Sequence, residues 1–363
     1  DEILQSFENS PREFVKRYLE NKNNLLFIDE AQYSKNAGKN IKLLYDLYSD
    51  SIKLFVTGSG SFDIKVEIGK YLVGRAIYLE LHPLDFEEFL LWKAKDLHNL
   101  FLQYKRSIYN FLMGKELTQT QPVFQQEFQT LLQEYLLYGG YPAIVKEEET
   151  KMKIELLKNL ARTYLEKDVF FFFNIAHLEK FKKVMNYLSF TTGSLLEISS
   201  IMNELHIDFK TVEHYLSILA STSIISLLSP YHKNLTTELK KAKKIYFNDT
   251  GLRNSILNNF LPLESRIDRG IILENFICNE LTQNFEGTVR YWRTTGKAEI
   301  DFIVPVDTNI IPIEVKSHTK PGRSFFSFLK TYQPKRALVF TEKEFEIRQI
   351  EHTTVAFIPH YFI

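Results

Sequence analysis

The chain is short of cysteine, of net charge and of long apolar runs, and each shortage removes a class of protein. A single cysteine, Cys278, in 363 residues excludes an internal disulfide framework and a cysteine-rich zinc site. The 45 Lys and Arg residues balance 45 Asp and Glu, so no overall field draws the protein to nucleic acid, and such a contact needs a local basic face. No uninterrupted apolar run reaches about 18 residues and no signal peptide opens the sequence. A membrane partner is therefore not expected, and the cytoplasm is the expected compartment. The histidines, His206, His232, His318 and His352 among them, show no paired metal spacing, and no nucleophile-elbow motif supports acyl hydrolysis. Internal repeats and low-complexity linkers are also missing. What remains is a chain with 44% hydrophobic and 25% charged residues, the make-up of a soluble globular protein. Its length suits two to three domains.

The most informative stretch is Leu25-Leu26-Phe27-Ile28-Asp29-Glu30-Ala31-Gln32. An apolar strand ending in adjacent acids projects them onto the ligand-binding rim of a parallel α/β sheet. In a nucleotide hydrolase the first acid holds Mg²⁺ through water and the second polarises the attacking water. A core strand running into an acidic helix N-terminus is the plainer alternative. The segment Leu54-Phe55-Val56-Thr57-Gly58-Ser59-Gly60-Ser61 is a second such strand, ending in small hydroxyl residues. Between them Ile41, Leu44, Leu47 and Tyr48 have helical spacing.

These blocks, with Gly74-Arg75, Leu81-His82-Pro83-Leu84-Asp85-Phe86-Glu87-Glu88-Phe89, Gly139-Gly140-Tyr141-Pro142 and Tyr246-Phe247-Asn248-Asp249-Thr250-Gly251-Leu252, carry a family resemblance. In that order they resemble the prokaryotic AAA+-type ATPases with a C-terminal domain of unknown function and a restriction-endonuclease-like core. The resemblance implies ATP and Mg²⁺ as cofactors. Asp29 would hold a Mg²⁺-bound water, Glu30 would activate the hydrolytic water, and Ser59 or Thr57 would sense the γ-phosphate. Arg75 would act on phosphate in cis or across a homo-oligomer interface, or else form a surface salt bridge. One departure matters. The phosphate loop G-x-x-x-x-G-K-[ST] has no match: Gly38-Lys39 is followed by Asn40, and Gly69-Lys70 by Tyr71. A segment not included here would explain this, and a degenerate ATPase is the alternative. Weak ATP binding is expected of the chain as it stands.

The expected fold class is multidomain α/β: an incomplete P-loop NTPase-like parallel sheet, a helical lid-like region, a winged helix and a restriction-endonuclease-like α/β domain. Residues 1–92 form the ATPase core remnant, with a third strand over 76–81 and a helix from Phe86 to Trp92. Residues 93–180 are the lid-like region, broken at Gly139-Gly140-Tyr141-Pro142 and ending in the aromatic run Phe170–Phe173, which reads as a buried helix. Residues 181–236 suggest a winged helix, with Leu196–Leu205 as first helix and Asp208 capping the recognition-type helix to Leu219. Lys210 on that helix and Lys233, Lys240, Lys241, Lys243 and Lys244 beside the wing would touch DNA phosphates without reading bases. A scaffold role is equally open.

Residues 237–363 carry the second constellation. Asp301 starts an apolar strand, and Glu314 and Lys316, two apart on the next, project from one face. Asp301 and Glu314 would share one Mg²⁺, with Lys316 near the attacking water and Glu274 reaching in from an upstream helix. That set matches the PD-(D/E)XK nuclease core, and oxygen-only ligands favour Mg²⁺ or Mn²⁺ over zinc. The leading reading is an ATP-binding AAA+-like protein coupling nucleotide state to a DNA-binding or nuclease-like C-terminal module. A Mg²⁺-dependent nuclease with a regulatory ATPase remnant, and a non-catalytic interaction protein, are the alternatives.

Overall fold

The computed structural model describes residues 2–19, 23–58, 69–117, 121–164, 177–231, 242–285, 287–306, 309–316 and 321–363. Helices α1 (Glu2–Asn9) and α2 (Pro11–Lys16) precede β1 (Asn24–Ile28), α3 (Ala37–Tyr48) and β2 (Ile52–Val56). β1 and β2 pair in parallel, Phe27 opposite Phe55. A parallel pair needs a crossover. Helix α3 supplies it, burying Ile41 and Leu44 with Phe7, Val15 and Ile52 in a small core. Alternation along the strands leaves Leu25, Phe27 and Phe55 exposed. The third strand expected over 76–81 does not form. Ile77, Leu79 and Leu81 lie in solvent, and β1 and β2 make a two-stranded sheet without them. The apolar pattern there is a strand's, but among the described residues no strand pairs with its backbone.

Beyond Leu84 the chain joins a different core. Helix α4 (Phe86–Lys93) opens on a reciprocal cap between Asp85 and Glu88. Helices α5 (Lys95–Leu112), α6 (Gln125–Tyr138), α7 (Pro142–Lys146) and α8 (Thr150–Thr163) follow. Phe86, Phe89, Phe101 and Phe128 pack with Phe276, Phe302 and Tyr361, so α4, α5 and α6 lie on the C-terminal sheet. The break at Gly139–Pro142 has a steric cause. A Cβ on Gly139, at φ +76°, would collide with the Asp249 carboxylate, and one on Gly140 would lie 2.0 Å from the Leu84 carbonyl oxygen. The Gly140 N–H donates to Asp249 Oδ2 at 2.8 Å, and the Leu84 N–H donates to the Gly140 carbonyl at 2.8 Å. Three blocks distant in sequence thus meet at one crossing.

Helices α9 (Leu178–Phe190), α10 (Ile198–Leu205) and α11 (Phe209–Ser221) lead into an antiparallel ribbon, β3 (Ile225–Leu228) with β4 (Lys244–Phe247). Asp208 caps α11 by accepting the Thr211 N–H at 3.0 Å. These elements enclose Phe181, Leu188, Ile201, Leu216 and Leu219. Phe170–Phe173 lie outside the described residues.

Helices α12 (Thr250–Ile256) and α13 (Arg269–Asn284) precede β5 (Arg290–Arg293), β6 (Glu299–Val306) and β7 (Asn309–Val315). Helix α14 (Arg323–Tyr332) crosses to β8 (Arg336–Thr341), followed by β9 (Glu346–Ile350) and β10 (Thr353–Pro359). The sheet order is β5-β6-β7-β8-β10-β9, parallel at β7-β8 and at β8-β10. Its central strands are buried almost without interruption because both faces are covered. One face carries the core shared with α13, and the other packs Trp292, Phe325 and Phe328. Asn275 ties β4 to α13: its Oδ1 accepts the Phe247 N–H at 2.9 Å and its Nδ2 donates to the Phe247 carbonyl at 2.7 Å. Among the described residues no helix is long and apolar enough to cross a membrane.

Candidate functional site

Strands β1 and β2 end in register, Ile28 opposite Val56, so Asp29 and Thr57 leave the sheet side by side. The Thr57 hydroxyl donates to Asp29 Oδ1 and accepts the Glu30 N–H at 3.3 Å. The Ala31 N–H closes the group by donating to the Thr57 carbonyl at 2.9 Å. Glu30 has φ +51°, a left-handed conformation uncommon outside glycine and frequent at functional sites. Its carboxylate receives Gln32 Nε2. Asp29 and Thr57 are exposed, so their oxygens are open to a ligand, and hard oxygen donors of this kind suit water-mediated Mg²⁺. Arg75 is placed elsewhere: its guanidinium pairs with Asp46 and lies 5.5 Å from the Tyr45 ring centroid. Ser59 lies outside the described residues.

The second group gathers on the C-terminal sheet. Strands β6 and β7 run antiparallel with Phe302 opposite Ile313, so the next pair brings Asp301 opposite Glu314 on the same face. Asp301 Oδ2 accepts the Val315 N–H at 2.8 Å. Lys316 Nζ lies 2.9 Å from Glu314 Oε1 and 3.8 Å from Asp301 Oδ2. Burial first, then the charges of Glu314 and Glu274, hold Asp301 well above the usual carboxylate range. Burial also raises Glu314, against the opposing pull of Lys316. Burial would lower Lys316, but the Asp301 and Glu314 carboxylates outweigh it.

Glu274, on α13, has other partners. Its Oε1 accepts from Lys244 Nζ at 3.0 Å and from the Tyr246 hydroxyl at 2.7 Å. Lys244 also pairs with Glu299. This corrects the expectation that Lys244 touches DNA phosphates, since it is 2% exposed and bound between two acids. Burial opposes its charge, and Glu274, Asp301 and Glu299 more than offset that, raising it above the ordinary lysine value. Lys210 and Lys243 are exposed, and Lys233, Lys240 and Lys241 lie outside the described residues.

Glu314 is 3% exposed and its Oε2 has no hydrogen-bond partner. An orphaned buried carboxylate oxygen beside a second acid suits a hard cation that keeps several waters. Among the described residues no group of three Asp, Glu, His or Cys side chains is arranged to hold a metal. The donors that fit are therefore the pair Asp301 and Glu314. Sequence reasoning missed Lys244, Tyr246 and Glu299 as members of this group. It also missed His360, buried with an unpartnered Nε2. Burial, then the nearby Arg269 charge, hold His360 down at about 3, against a hydrogen bond to the Lys316 backbone.

An AAA domain family model matches residues 1–90. Two domains of unknown function match further on, DUF8612 over residues 129–262 and DUF4143 over residues 269–361. The N-terminal region is thus AAA-type ATPase-like. The chain is 27% identical over 287 residues to the uncharacterized protein MJ1544 of Methanocaldococcus jannaschii, covering 77% of this chain and 58% of that protein. It is 21% identical to MJ1637 of the same organism, over 88% of this chain and 67% of that one. An uncharacterized protein of Haemophilus influenzae is 22% identical, over 93% and 76% of the two chains. The chain spans little more than half the length of MJ1544. No solved structure matches.

Proposed function

We propose that the chain is an AAA-type ATPase-like protein that couples nucleotide state to a DNA-binding or nuclease-like C-terminal module. The observation that carries the nucleotide half is the hydrogen-bonded group of Asp29, Glu30 and Thr57 at the carboxyl ends of parallel strands. Mg²⁺ would supply charge to offset the γ-phosphate. Asp29 would hold its water ligands, Thr57 or Ser59 would sense the γ-phosphate, and Glu30 would take the proton of the attacking water. Arg75 would leave Asp46 to reach phosphate in cis or across a homo-oligomer interface.

The sequence holds no G-x-x-x-x-G-K-[ST] match, so few groups cradle the β- and γ-phosphates. The 363-residue chain is expected to bind ATP weakly and to turn it over negligibly, because positioning and charge neutralisation are both reduced. Steady turnover that disappears in Glu30→Gln would overturn this part of the reading. Coupling between the two halves is supported by residues 76–85. Glu80 bonds the Ser223 hydroxyl, and Leu84 pairs with Gly140.

A Mg²⁺-dependent nuclease is the second reading, favoured by the opposed Asp301 and Glu314 and the orphaned Glu314 Oε2. There Asp301 and Glu314 would hold the ion, Lys316 would sit near the attacking water, and Glu274 would be the helix acid. The three helices and ribbon from α9 to β4 would be a winged helix, offering Lys210 and Lys243 to DNA phosphates. The domain limits 1–92, 93–180, 181–236 and 237–363 belong to the same proposal.

A further inference from the structure

We propose that Lys244 is a resident counter-ion of the carboxylate group, and that its fixed charge keeps the Asp301–Glu314 pair from taking a divalent ion tightly. The inference rests on the metal-pair reading of those two acids. Two lysines stand among the carboxylates, and they differ in freedom. The Lys316 side chain is 35% exposed and can turn to solvent when an ion enters. Lys244 cannot, because its side chain is 2% exposed. Its ammonium lies between Glu274 and Glu299, and 5.7 Å from the Tyr291 ring centroid.

Two consequences follow for a cation approaching Asp301 and Glu314. It meets a positive charge that has nowhere to go, in surroundings where charges are weakly screened. Glu274, whose own charge reaches both Asp301 and Glu314, is already neutralised by Lys244 and held by the Tyr246 hydroxyl. The group therefore keeps an unmet acceptor, Glu314 Oε2, while the charge of Lys244, bound to Glu274 and Glu299, reaches Asp301. A lysine so deeply buried persists only because its partners are in place, and removing it leaves uncompensated carboxylates. Their charge would then add to that of Asp301 and Glu314 and draw a divalent ion to the pair.

The test is Mn²⁺ alone, titrated against the whole chain and followed by the electron paramagnetic resonance of the free ion. Lys244→Gln is expected to bind Mn²⁺ at least about tenfold tighter than the wild type, as loss of a nearby like charge requires. Lys244→Arg should match the wild type, Glu274→Gln added to Lys244→Gln should cancel the gain, and Glu314→Gln should abolish binding. Thermal unfolding gives a second readout, since Mn²⁺ should stabilise Lys244→Gln more than the wild type. Equal Mn²⁺ affinity in the wild type and Lys244→Gln would overturn the counter-ion role and leave the metal pair standing. No binding in any variant would overturn both. Lys244→Met, which keeps the buried volume, is the second variant. Failure of both neutral variants to fold with Mn²⁺ present would also count against the proposal, because the ion should replace the missing charge.

Discussion

Glu280 is a buried acid whose charge the fold opposes, and its pH dependence can be worked out from its neighbours. It is 1% exposed on α13, and Oε1 accepts the N–H of Phe86, the first residue of α4, at 3.0 Å. Burial, and then the charge of Asp85, push its carboxyl from 4.5 up to about 8, against the pull of the Phe86 N–H and Lys105. Between those values the native state keeps a proton that the unfolded chain has lost. Stability from this group is therefore greatest below pH 4.5, falls as pH rises toward about 8, and is level above that. At about 1.4 kcal/mol per unit, the loss is on the order of 3–5 kcal/mol. Glu280→Gln keeps an acceptor for the Phe86 N–H and removes the charge. Urea unfolding followed by the emission of Trp292, packed on Phe328 and Tyr332, should find the two proteins similar in stability near the unfolded value. The variant should be more stable by a few kcal/mol above the native one. Comparing the two proteins removes the parallel contribution of Asp249, which burial raises from 3.8 to about 6. A difference that stays constant with pH would refute the reasoning.

Gly140→Ala places a methyl against the Leu84 carbonyl and should cost about 1–3 kcal/mol in the same unfolding assay; an unchanged midpoint would mean the crossing is not tight. Metal-dependent nicking of plasmid DNA should be lost in Glu314→Gln and in Lys316→Met, and nicking that survives both would point to a contaminant. DNA affinity should fall steeply with salt and vary little with sequence, because exposed lysines such as Lys210 and Lys243 can neutralise phosphate but offer little to base edges. Strong sequence preference in a binding titration would favour another mode.

Much of this arrangement was legible because period-two spacing and chain order decide it. Asp29 and Thr57 follow from two apolar strands joined by one helix. The opposition of Asp301 and Glu314 follows from the close spacing of two apolar strands in the sequence. Asp208 was readable as a cap because its carboxylate acts within one turn. The failures share a cause, which is dependence on distant partners. The pattern Ala76–Leu81 is a strand's, but pairing is not a local property. Lys244 sits among neighbouring lysines, and only Glu274 and Glu299, remote in sequence, distinguish it as buried. Phe86 adjoins the N-terminal strands in sequence, and its packing on Phe276 is likewise set by a partner remote in the chain. Glu280 carried no sign of its role, because its partner at Phe86 lies 194 residues away.

The central claim is that Asp29, Glu30 and Thr57 form a site for Mg²⁺-bound nucleotide, and backbone amide shifts during a Mg·ATP titration test it most directly. Binding is expected on the order of millimolar, or about 4 kcal/mol, because the phosphate loop is missing. The account predicts shifts concentrated at Glu30, Ala31, Thr57 and Gly58, abolished by Asp29→Asn and reduced by Thr57→Val, with Val315 and Lys316 unmoved. Shifts that ignore Asp29→Asn, or that gather at β6 and β7 instead, would contradict it.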